Sequence, residues 1–168
     1  MSGAPEIDRA GWTEHELEAE RQLNAEGEEI ERSVYGAVGR RRMHGHGHYV
    51  LDRNNVAIPC GLGTWAIWFE VEWRKHKRGE PAQTVVKQEN VGEYFVSTVF
   101  LGLDHSFPEL CESAPRALFE TMVFPKHGQS GHDLWMDRYP TWDTAARGHA
   151  DVAARLRAGT LFDESEQA

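Results

Sequence analysis

Two runs of β-branched and aromatic residues leave few folds open to this chain. One covers Val91 to Leu103 and the other, "ALFETMVFP", covers Ala117 to Pro125. Over residues 96–103 and 117–124 the alternation predicts two antiparallel strands, each with one buried face. "TVVK" ahead of the first run is also strand-like, with a break expected over "QENVGE". "HYVLDRNNVAIP" reads as a hairpin. Asp52 to Asn55 supply its turn chemistry and Pro59 closes it.

The helical segments surround these strands. In the N-terminal stretch, Thr13 and Glu16 have capping-box spacing, and Leu17, Leu23, Ile30 and Val34 are sparse apolar points on an otherwise charged surface. Such a helix predicts a loosely docked arm or a segment that binds a partner, with the solvated arm as the leading expectation. "GTWAIWFEVEWRKHKRG" predicts a second helix with Thr64 as its N-cap. Trp65, Trp68, Phe69 and Trp73 fall on one face as core. "TWDTAARGHADVAARLRAG" predicts a third, capped by Thr141 and ended by Gly159. Its inner stripe carries Trp142, Ala145, His149, Val152 and Leu156. The element order predicts an α+β fold: an antiparallel sheet of about four or five strands with two helices on one face. An acidic helical arm and linker over residues 1–43 precede a compact domain over 44–160, and an acidic tail covers 161–168.

Charge and composition limit the partners. A formal net charge of −9 disfavours general binding to nucleic acid or anionic membrane, although "RRR" at 40–42 and "RKHKR" at 74–78 are local basic clusters. No G-x-G-x-x-G or G-x-x-x-x-G-K run is present to cradle a nucleotide. Cys60 and Cys111 define neither a zinc spacing nor a disulfide framework, which predicts free thiols in a reducing compartment. The start of the chain lacks a basic-then-apolar leader, and no apolar run approaches the roughly 20 residues of a membrane span. The expectation is a protein of the cytoplasm with no membrane partner.

Three sets of residues are candidates for chemistry. His44, His46 and His48 alternate with glycines, and alternation on a strand would present three imidazoles on one side for a transition metal such as zinc. The competing reading is a flexible join with no cofactor. Asp104 and His105 lie where a strand runs into a loop, a place suited to a general base, although neighbours on a strand point to opposite faces. Glu120 is a carboxylate between apolar neighbours. If residues 96–103 pair with 117–124, Thr98, Asp104 and a histidine are expected to join it in a polar pocket. His149 reads as a satisfied core histidine.

Four blocks, "YVLDRNNVAIPCGLGTWAIWFE", "VSTVFLGLDHSF", "LFETMVF" and "DRYPTWDTAARGHADV", together resemble a family of small proteins of actinobacteriophages and of prophage-like regions in related bacteria. The resemblance covers roughly Tyr49 to Val152. It implies a phage origin and a setting inside the infected host cell or the particle, and it carries over no catalytic residue. The chain departs from the pattern in its acidic arm before residue 44 and in "PELCESAPRA", which stands where the family has a shorter Gly/Pro-rich turn. The leading expectation is a phage accessory protein that binds a host or phage protein without catalysis, with self-association through the arm or a sheet edge as a further expectation. The alternatives are a small hydrolase or small-ligand binder, metal-dependent or not, and a minor capsid or decoration component.

Overall fold

A computed structural model describes residues 7–35 (with side chains through Glu26), 47–105, 115–126 and 133–162. The chain is α+β with antiparallel pairing throughout. Its contacts divide it into two units, Met1–Thr84 with Gly102–Arg116, and Val85–Leu101 with Ala117–Ala168.

In the first unit, α1 (Glu14–Tyr35) starts at the capping box. The Glu16 N–H donates to Thr13 Oγ1 at 3.2 Å, and Glu16 Oε2 accepts the Thr13 N–H at 2.6 Å. β1 (His48–Leu51) and β2 (Ala57–Cys60) form the expected hairpin, with Asp52 Oδ1 accepting the N–H groups of Asn54 and Val56 at 2.8 Å each. Pro59 lies within β2, opposite Tyr49, and does not close the hairpin. Residues 102–104 run along the other edge of β1. Leu103 sits opposite His48, and the Tyr49 N–H donates to the Gly102 carbonyl at 2.8 Å.

α2 (Leu62–Lys77) packs on β1 and on α1. Thr64 is not its cap: the helix begins earlier, after Gly61, which has no side chain to offer. The cap comes from α1. Asn24 Oδ1 accepts the N–H of Gly63 at 2.9 Å and of Thr64 at 3.3 Å, and Asn24 Nδ2 donates to Thr64 Oγ1 at 3.0 Å. The Thr64 hydroxyl donates in turn to Glu20 Oε1 at 2.6 Å. Arg9 forks onto Glu20, and Arg74 pairs with Glu16. The expectation of a solvated arm is corrected accordingly: Glu16 and Glu20 are 7 % and 6 % exposed. An apolar stripe is not required when polar side chains pair across the contact. On α2 itself Trp68 is buried, whereas Trp73 is 54 % exposed and stacks on His76.

The second unit is a four-stranded sheet in the order β3 (Val85–Val91), β4 (Tyr94–Phe100), β5 (Phe119–Pro125) and β6 (Trp135–Tyr139). Val91 pairs with Tyr94, so the turn is only Gly92 and Glu93, with Gly92 at φ 59°. Most of "QENVGE" is strand. β6 was not legible in the sequence, where its five residues include a charged pair, Asp137 and Arg138. α3 (Trp142–Ala158) opens on a capping box of Thr141 and Thr144 and ends at Gly159 in the left-handed region. It packs on the face of the sheet carrying Val91, Val96 and Val123, to which it adds Val152 and Ala153. No helix among the described residues is long and apolar enough to cross a membrane.

Candidate functional site

The register separates residues that the sequence reading grouped. Thr98 stands opposite Thr121, and Val99 opposite Glu120. Side chains alternate along a strand, so Thr98 faces α3 and Glu120 faces the other way. The pocket expected to hold both is therefore corrected: they lie on opposite sides of one sheet. Glu120 is 6 % exposed and accepts from Arg138 Nε at 2.8 Å, its neighbour by register on β6. That ion pair is what allows a carboxylate among apolar neighbours.

Asp104 and His105 belong to the first unit. Asp104 lies 4.0 Å from Arg116 Nε, and the Arg116 guanidinium lies 5.1 Å above the Tyr49 ring. His105 is exposed. Of the histidine run, His44 and His46 lie outside the described residues. The His48 ring lies 5.2 Å from the Trp65 ring. Among the described residues no group of three His, Cys, Asp or Glu side chains is placed to hold a metal. Cys60 is a half-buried thiol pushed up to about 12, first by burial and then by the Glu20 carboxylate, so it stays protonated and a weak nucleophile.

A buried polar arrangement lies under α3. His149 is fully buried on the inner stripe, and both ring nitrogens are engaged. Nδ1 lies 2.7 Å from Thr98 Oγ1, which lies 2.6 Å from Thr121 Oγ1. Nε2 lies 3.2 Å from Glu89 Oε1. Glu89 also receives Lys87 Nζ at 3.0 Å and Arg157 Nη2 at 2.7 Å. On β6 the Tyr139 hydroxyl is pushed up to about 12, first by burial and then by the Asp137 charge. A hydrogen-bonded row thus runs across β3, β4 and β5 through Glu89, His149, Thr98 and Thr121, with His149 above the sheet. His149 was visible in the sequence as a histidine on an apolar stripe. Glu89 and Thr121 carried no such signal, because only the register brings them to it.

An acid, a histidine and a hydroxyl in sequence have the parts of a nucleophile triad. Thr98 and Thr121, however, are 0 % exposed, so no substrate reaches either hydroxyl. The chemistry open to the row is proton storage and hydrogen bonding. Burial is the largest influence on His149 and holds it below its ordinary value of 6.5, against the pull of Glu89. Below pH 6.5 the unfolded chain therefore binds the proton more readily than the folded one, and stability falls with pH from there down to the depressed folded midpoint. Urea unfolding at a series of pH values is expected to show this decline, and His149→Gln to flatten it. A decline of the same depth in that variant would assign it to other groups.

No family model, no curated protein and no solved structure matches the chain.

Proposed function

We propose that the chain acts by binding a protein partner and not by catalysis, as an accessory protein of a phage-infected cell, and that β6 is the strand that meets the partner. The observation that carries this reading is the state of that strand. β6 stands at the end of the sheet and pairs only with β5 among the described residues. Met136, opposite Met122 on the face turned away from α3, is 43 % exposed, and Leu134 just before the strand is 49 % exposed. Unpaired strand backbone beside accessible apolar side chains is the pattern used in strand addition. The groups suited to catalysis in this unit are committed elsewhere: Glu120 to Arg138, and His149 and Thr98 to the buried row.

Capture from lysate of an infected bacterial host, with the natural chain beside a Leu134→Lys/Met136→Lys variant, tests it. Both positions are exposed, so the variant should fold within about 0.5 kcal/mol of the parent. A protein retained by the natural chain and lost about tenfold by the variant is expected, consistent with removal of an interface anchor. Amides 134–139 should gain protection from hydrogen exchange in the complex. Capture indifferent to the substitutions, with no protection over 134–139, would reject β6 as the binding strand.

A further inference from the structure

The two outer strands of the four-stranded sheet differ. β3 carries a register shift between Val85 and Lys87, and the Lys87 side chain is 53 % exposed. A bulge and an exposed lysine both discourage a further strand. β6 keeps an unbroken register against β5 from Trp135 to Tyr139, and its Arg138 guanidinium is turned onto Glu120. The Arg138 N–H lies off the ladder and donates to Asp137 Oδ1 at 2.8 Å. Backbone groups alternate along a strand, so the Met136 N–H and carbonyl face outward as well. On the inner side, Leu134 N–H donates to the Val123 carbonyl at 2.8 Å.

We propose that β6, when no other protein holds it, pairs antiparallel with β6 of a second copy of this chain about a two-fold axis at Met136. The strand's own residues select that register. A two-fold axis normal to the sheet must pass through a residue, because directly opposed side chains share a face. Centred on Trp135, the pairing sets Asp133 against Asp137 of the second copy. Centred on Asp137 or Arg138, it sets that charge against itself. Like charges directly opposite are unfavourable. Centred on Met136, it sets Met136 against Met136, Trp135 against Asp137, and Leu134 against the stem of Arg138, and no like charges meet. The exposed Leu134 and Met136 are then covered on both copies. Met136 exchanges both backbone bonds with Met136 of the second copy, and each Arg138 N–H passes from Asp137 to the Leu134 carbonyl across the axis. The contact is isologous and uses up β6 on both copies. With β3 guarded, assembly stops at a dimer. The pairing rests on the reading of β6 as an open binding edge, and the two fail separately.

The experiment is sedimentation of the purified full chain over a dilution series reaching about 1 mM, the range of weak association. A monomer–dimer equilibrium is expected. Hydrogen exchange on the same series should slow at the Met136 and Arg138 amides as the dimer forms, with the Asp137 amide unchanged. Met136→Lys and Met136→Glu each set like charges against one another at the axis, and each should weaken association about tenfold. An equal mixture of the two variants sets lysine against glutamate, and it should associate more tightly than either variant alone. That rescue also shows that both variants are folded. A register centred on Asp137 would instead bring Met136→Glu opposite Arg138 and tighten the dimer. A chain monomeric throughout the series, a tighter Met136→Glu dimer, a mixture without rescue, or growth beyond a dimer would overturn the proposal. A monomeric chain that still captures its lysate protein through β6 would overturn the pairing and leave the partner reading standing. A Met136-centred dimer that captures nothing would do the reverse.

Discussion

His149→Ala is expected to destabilise the chain by about 3 kcal/mol, from a cavity at a fully buried position plus the loss of one of the two hydrogen bonds of the buried Thr98 hydroxyl. The effect exceeds that of removing a surface histidine because neither term is relieved by water. Thr98 is 0 % exposed, and the ring is enclosed by α3 and the sheet. His149→Gln retains volume and one polar contact, and it should lose only about half as much. Urea unfolding well above the histidine range isolates the packing and hydrogen-bond terms from proton binding. An Ala variant within about 0.5 kcal/mol of the parent, the range of an ordinary surface change, would mean that the row contributes little to holding α3 on its sheet.

Gly63→Ala carries the second large effect, and its sign is diagnostic. In an ordinary helix Ala is favoured over Gly by about 1 kcal/mol. At this position the added methyl would lie 2.6 Å from the Glu20 carbonyl oxygen and 2.9 Å from the Asn24 nitrogen. Both are backbone atoms of α1, so relief requires the two helices to separate. Separation also withdraws Asn24 from the start of α2. Overpacking of this kind costs about 1–3 kcal/mol and a lost cap about 1 kcal/mol, for a net loss of about 1–3 kcal/mol after the propensity gain. Hydrogen exchange should show residues 14–26 losing protection while the four-stranded sheet keeps its own. A neutral or stabilised Gly63→Ala chain would show that α1 does not hold this close contact in solution.

The strands and helices that follow simple periodicity were legible. Alternation placed β4 and β5, capping chemistry placed the starts of α1 and α3, and Asp52 marked the first turn. Contacts made by polar atoms at long range were not. α1 has too few apolar residues to announce a docking face, because Asn24, Glu20 and Glu16 bind α2 by hydrogen bonds and ion pairs that have no sequence period. β6 escaped notice because "WMDRY" is short and lacks alternation. The pairing of Thr98 with Glu120 went wrong by one position in register. That is enough to send a side chain to the other face, so the pocket dissolved while the strand assignments held. Among the residues of the polar row, only His149 broke a local pattern, and Thr98 was singled out through the expected strand pairing alone.

The two units interleave along the chain, which crosses between them after Thr84, after Leu101 and after Arg116. During synthesis from the N-terminus, β3 and β4 emerge before residues 102–104 can take their place beside β1, and they wait for β5, β6 and α3 before their own sheet is filled. A newly made β3–β4 hairpin thus passes through a period with Val96 and Thr98 uncovered, and α3, which leaves the ribosome after all four strands of that sheet, is the element that ends it. Neither unit can be cut out as one continuous stretch, so a genetic exchange that preserves either must respect three crossing points rather than one boundary.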